Sequence, residues 1–110
     1  MIEEPLARRT CVPCTAATPP LSAEDTTDLL PQIPGWTLEG VTLRRAFRFK
    51  DFAGAMAFVN RVAERAEAEG HHPDIHIAWN RVRLELTTHA INGLSENDFI
   101  LAAKINALRA

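Results

Sequence analysis

Thr42-Leu43-Arg44-Arg45-Ala46-Phe47-Arg48-Phe49-Lys50-Asp51-Phe52 is the stretch where a two-residue period gives way to a helical one. Leu43, Arg45, Phe47 and Phe49 share one side of an extended chain. Thr42, Arg44, Ala46 and Arg48 share the other. Apart from Arg45, this is a strand with one covered face. Asp51 then suits the N-cap of a helix over 52–69, because its short carboxylate accepts from free N–H groups of the first turn. Phe52, Ala55, Met56, Val59, Val62, Ala63 and Ala66 recur at three- and four-residue steps and make an apolar stripe. Arg61, Glu64, Arg65, Glu67 and Glu69 occupy the remaining surface. Gly70 stands where a left-handed residue ends a helix.

The pattern extends in both directions. Trp36 to Glu39 reads as a strand, joined through the Glu39-Gly40 turn to the strand Thr42 to Phe49. Before it, Ser22-Ala23-Glu24-Asp25 opens a short helix that ends at Leu29 and Leu30, ahead of Pro31. Pro34-Gly35 is a turn. After the long helix, Ile75, Ile77 and Trp79 alternate with Asp74, His76 and Ala78. Asn80-Arg81 is read as the turn, and Val82, Leu84 and Leu86 alternate with Arg83, Glu85 and Thr87. Ser95-Glu96-Asn97-Asp98 resembles a capping box, and Leu94, Leu101, Ile105 and Leu108 mark the seam of a last helix. The order α-β-β-α-β-β-α predicts an α+β, two-layer fold. A four-stranded antiparallel sheet carries helices packed on one face. Two β-β-α units without sequence repetition suggest a structural duplication. Exposed strand edges and leftover apolar helix surface favour a homodimer or homotetramer.

The chain has 110 residues, 46% of them hydrophobic, and a net charge of −2. That supports one domain with a modest core and gives no nucleic-acid footprint. No apolar run is long enough to span a membrane, and no apolar leader opens the chain, so a cytoplasmic location is expected. Residues 1–20 hold Pro5, Pro13, Pro19 and Pro20 without apolar periodicity, which predicts a disordered or loosely attached arm before a domain over 21–110. Within the arm, Cys11-Val12-Pro13-Cys14 admits a redox dithiol or half of a zinc site. A second cysteine pair is missing, no strand precedes the motif, and two free thiols are the plainer reading.

All four histidines, His71, His72, His76 and His89, fall late in the chain. Imidazole exchanges protons near neutrality, since its unperturbed pKa is about 6.5. His71 and His72 follow a helix C-terminus, where the macrodipole favours the imidazolium. Pro73 restricts the backbone after them. In an antiparallel hairpin the end of the fourth strand lies beside the start of the third, so His89 can approach the pair. The plainer alternative is histidines that merely cap helix carbonyls. Metal ligation is a further alternative, weakened because adjacent residues of an extended segment point apart and His76 lies inside a strand.

Glu67-(three)-His71-His72-Pro73-(five)-Trp79-(nine)-His89-(eight)-Asp98 resembles the signature of the pterin-4a-carbinolamine dehydratases. Thr87-Thr88-His89 with Gly93-Leu94-Ser95, and Pro34-Gly35-Trp36, are similar to that family as well. The resemblance spans about residues 21–110. It implies removal of water from a 4a-hydroxytetrahydropterin to give quinonoid dihydropterin. It also implies a small-molecule pterin substrate, a functional link to an aromatic amino acid hydroxylase, and no metal or redox cofactor. Carried over, His71, His72 and His89 are the catalytic trio. His71 and His89 would act as acids toward the hydroxyl, and His72 would position the pterin and assist proton removal. Glu67 and the backbones of Thr87, Thr88 and Ala90 would bind the pterin edge, and Trp36 and Trp79 would wall the pocket, with core packing an equal alternative for each. Asp98 would orient His89 or only cap its helix. Animal members of the family also act as dimerisation cofactors of a transcription factor, so a binding or scaffold module without turnover is the alternative.

Overall fold

Helix α1 (Ala23–Leu29) starts where the Ser22 side chain accepts a hydrogen bond from the Asp25 N–H at 3.1 Å. It runs into a 3-10 turn, Leu30–Gln32, in which Pro31 suits the first turn. Strands β1 (Thr37–Glu39), β2 (Thr42–Arg48), β3 (Asp74–Ala78) and β4 (Arg81–Leu86), with helices α2 (Phe52–Glu69) and α3 (Glu96–Arg109), complete the expected order. The computed structural model describes residues 6–11 and 19–109.

All strand pairings are antiparallel, in the spatial order β1-β2-β4-β3. Each hairpin is followed by a helix, so the sheet joins two β-β-α units through their second strands. Leu43 pairs with Leu86, and Phe47 with Val82. These four side chains and Leu84 are buried under the helices. The opposite face is polar: Glu85 contacts Arg44 at 2.6 Å and His76 at 3.2 Å, and Arg44 also reaches Glu39 at 2.9 Å.

Helix α2 is framed by its caps. Asp51 accepts from the Gly54 N–H at 2.8 Å, and Gly70 adopts the left-handed conformation with φ 66°. Its buried face is Ala55, Phe58, Val59, Val62 and Ala66. Phe58 was outside the expected stripe, yet its ring lies 4.7 Å from Phe47 and 5.1 Å from Phe49. Phe52 and Ala63, which the stripe included, are exposed. The stripe is rotated because the sheet meets the helix along the line from Ala55 to Phe58.

The second hairpin turns one residue earlier than expected, at Trp79-Asn80, with Ala78 paired to Arg81. Asn80 is buried and decides the position. Its side-chain amide donates to the Phe49 carbonyl at 2.9 Å, and its carbonyl accepts from the Phe49 N–H at 2.8 Å. Trp79 is thereby left in the turn at φ 52°, 67% exposed.

Leu94, Leu101 and Ile105 of the last seam are buried, but so are Phe99, Ile100, Ala102 and Ala103. A helix apolar all round needs cover on every side. Part of the segment expected to form a loose arm supplies it. Residues 6–8 form a 3-10 turn against α3, with Leu6 buried and the Ala7 carbonyl accepting from Lys104 Nζ at 2.9 Å. Cys14 and the rest of 12–18 lie outside the described residues.

Candidate active site

Two chain ends meet at one rim of the sheet. Asp74 at the start of β3 pairs with Glu85 near the end of β4. The residues just before β3 and just after β4 therefore lie side by side. His71 and His72 lead into β3, held in place because the His71 N–H still bonds the Ala66 carbonyl of α2 at 3.2 Å. Beyond β4 the chain is pinched by a bridge in which the Thr88 N–H donates to the Gly93 carbonyl at 2.9 Å. The small loop above that neck starts with a 3-10 turn, His89–Ile91, and closes through Asn92 at φ 49°. Asparagine tolerates this left-handed conformation better than most residues. A cavity of about 580 Å³ opens between the two segments and is lined by His71, His72 and His89 together.

Neighbouring histidines on extended backbone point apart. The His71 side chain turns inward and is 13% exposed; its Nε2 lies 2.6 Å from Oδ1 of the fully buried Asp98. His72 turns outward, with Nε2 2.6 Å from Glu67 Oε1, both groups largely in solvent. A carboxylate only accepts hydrogen bonds, so in each pair Nε2 is the donor and Nδ1 of the neutral ring is left as the acceptor. His89 is exposed at the opposite wall.

Asp98 is the anchor of the site. Its Oδ2 accepts from the Thr88 hydroxyl at 2.8 Å and from the Ser95 N–H at 2.9 Å. The Thr88 hydroxyl has one proton, given to Asp98, so the Ser95 hydroxyl donates to Thr88 across 2.8 Å. One carboxylate thus caps α3, ties down the neck of the His89 loop and orients His71. The expectation that Asp98 orients His89 is corrected here. Helix α3 packs beside α2, and His71 comes off the end of α2. His89 stands on a loop whose neck, not its tip, meets Asp98.

Of the other expected contacts, Glu67, Thr87, Thr88 and Ala90 do line the cavity. The Thr88 backbone is already engaged: its N–H bonds Gly93, and its carbonyl accepts from the Ile91 N–H at 3.2 Å. Trp36 and Trp79 are not brought to the cavity. Trp36 is a core residue, with Nε1 donating to Asn106 at 2.8 Å, and Trp79 sits exposed in the far turn of the second hairpin. Pro73 follows the histidines without reaching the lining. Five lining residues were not among the expected contacts. Ala68 and Gly70 belong to the end of α2, Glu69 reads as helix surface, Asn97 as part of a cap, and Cys11 as part of a free tail. Among the described residues no group of three histidine, cysteine or acidic side chains is placed to hold a metal ion. No helix among them is long and apolar enough to cross a membrane.

A family model described as pterin 4 alpha carbinolamine dehydratase matches residues 19–108. The chain belongs to this family. A relative from Nitrosospira multiformis, provisionally named a pterin-4-alpha-carbinolamine dehydratase, is 53% identical over 94% of this chain and 91% of its own length. Pterin-4-alpha-carbinolamine dehydratase 2, mitochondrial, of Arabidopsis thaliana is 47% identical over 94% of this chain and 59% of its own. A transcriptional coactivator/pterin dehydratase from Brucella melitensis superposes with a TM-score of 0.78 at 36% identity, covering 83% of this chain and 99% of that one. A pterin dehydratase-like protein described as a RuBisCO assembly factor in the alpha-carboxysome gives 0.56 at 27% identity, over 66% and 84%. The dehydratase family read from Glu67, His71, His72, His89 and Asp98 is thus the family found. The family-model match begins at residue 19, after Leu6 and Cys11, whereas the alignment to the Nitrosospira relative covers 94% of this chain.

Proposed function

We propose that this chain dehydrates a 4a-hydroxytetrahydropterin to the quinonoid dihydropterin by histidine acid–base catalysis. The observation that carries the proposal is the convergence of His71, His72 and His89 on one cavity, with His71 and His72 each hydrogen-bonded to a carboxylate. A carbinolamine holds a hydroxyl and a nitrogen on one carbon. An imidazolium protonates the hydroxyl, which leaves as water as the C4a–O bond breaks. The N5 lone pair forms the C4a=N5 bond, and a neutral imidazole takes the N5 proton. Protons balance and no electron leaves the pterin. His71, held by buried Asp98, and His89 serve as acids toward the hydroxyl. His72, paired with Glu67 at the mouth, positions the ring and assists proton removal. The reading includes a cytoplasmic setting, a self-associated chain, and supply of substrate by an aromatic amino acid hydroxylase.

The test is decay of the 4a-hydroxy adduct, generated in situ by a hydroxylase and followed by stopped-flow absorbance. Wild type should accelerate it, and His71→Ala, His72→Ala and His89→Ala should each lose about 10²–10⁴-fold, the usual worth of a positioned proton-transfer group. A well-folded wild type without acceleration would leave the chain as a binding or scaffold module.

A further inference from the structure

We propose that the N-terminal strap of residues 6–11 is a wall of the substrate cavity, with Cys11 as a specificity-determining residue that limits the pterin substituent the cavity accepts. The inference rests on the dehydratase reading of that cavity and goes beyond it: the strap precedes the family-model match at 19–108, and what is new is a role for Cys11 in the cavity.

Five contacts clamp the strap to the core and to the site's own supports. Leu6 is buried against the core. Lys104 holds the Ala7 carbonyl and lies 3.8 Å from Glu69. Arg9 forms an ion pair with Glu96. Glu69 accepts from the Cys11 N–H at 2.9 Å, and the Cys11 thiol faces the Asn97 carbonyl at 3.6 Å. Glu69 lies between Glu67 and His71 in sequence, and Asn97 precedes Asp98. The strap is therefore fastened to the same two helix ends that orient His71 and His72. It delivers one side chain, Cys11, to the lining they share.

The chemistry of that side chain suits a wall rather than a reagent. Burial first, and the neighbouring Glu69 carboxylate second, push the thiol up to about 12. A thiol exchanges disulfides, attacks electrophiles and ligates metals as its thiolate. Near neutrality Cys11 is a neutral, compact, weakly polar surface. A larger side chain there must project into the cavity or displace the strap, whereas a smaller one leaves room.

The test uses the full chain with Cys14→Ser, so that Cys11 is the remaining one of its two cysteines. Turnover is measured for two 4a-hydroxytetrahydropterins, one bearing a methyl group and one the dihydroxypropyl chain of biopterin. Cys11→Phe should raise KM for the longer substituent about tenfold more than for methyl, with a smaller effect on kcat. Cys11→Ala should move the ratio the other way. Saturation with fully oxidised biopterin, which does not react, should slow iodoacetamide labelling of Cys11 followed over hours at alkaline pH, where a small thiolate fraction forms, and this readout decides if Cys11→Phe fails to fold. An active wild type whose KM ratio is unmoved in both variants, with labelling unaffected by biopterin, overturns the wall. A wild type inactive on both substrates removes the parent reading instead. Biopterin protection of Cys11 in that inactive protein would keep the wall without the chemistry.

Discussion

At the scale of single residues, the two carboxylate–histidine pairs have the same 2.6 Å length and different energetics. Asp98 is fully buried, and its oxygens meet His71, Thr88 and Ser95. Glu67 is 79% exposed, where water competes for both partners. Asp98→Asn should therefore lower turnover by about 10²-fold and destabilise the fold by about 1–3 kcal/mol, because buried donors lose a charged acceptor. Glu67→Gln should change denaturant stability by less than about 1 kcal/mol. Parallel urea titrations and stopped-flow traces would separate the two; an Asp98→Asn protein as active as wild type would disconnect Asp98 from the site. The sequence identified Asp98 as a cap, and a cap it is. Its pairing with His71 rather than His89 was illegible, because the partners lie 27 positions apart and meet only through the packing of two helices.

At the scale of elements, caps and sheet faces hold the site in register. Gly70 ends α2 at φ 66°, which puts the next residue, His71, at the turn out of the helix. An alanine there has open space but the wrong backbone preference, so Gly70→Ala should lose about 1–2 kcal/mol, read by thermal melting. On the outer sheet face, partial burial alone would raise the Glu85 pKa. The Arg44 charge and hydrogen bond, then His76 and Arg83, outweigh that and hold it below its ordinary value of 4.5. A depressed folded pKa gives stability that is present above the unfolded value and lost as pH falls through the folded one. The deficit of Glu85→Gln against wild type should hold at neutral pH and shrink below about pH 4.5 as the wild-type carboxyl protonates. A deficit unchanged at pH 3 would show that the face is held by something other than this charge. The alternation of Val82, Leu84 and Leu86 with Arg83 and Glu85 made the two faces readable in advance. The early turn at Trp79-Asn80 was not readable, since Asn80 is fastened to Phe49, which belongs to the other hairpin.

At the scale of the whole molecule, the stability of the strap and the architecture of the site are one question. Leu6 is 2% exposed, so Leu6→Ala should cost about 2–5 kcal/mol if residues 6–8 belong to the core. A loss under about 0.5 kcal/mol, the usual range for a surface substitution, would make the strap peripheral. The sequence by itself determined the element order, the antiparallel two-layer class, the caps at Ser22, Asp51 and Gly70, and the late cluster of histidines. These follow from side-chain period, capping groups and hairpin geometry, which act within a few residues of chain. Only the tertiary structure decided that Trp36 is core, that Phe58 and not Phe52 faces the sheet, that Asp98 serves His71, and that Cys11 joins the cavity. Each of these depends on which surfaces of distant elements face one another. That choice is made by packing around α3, whose apolar surface on all sides needed a cover that no local pattern in residues 1–20 announced.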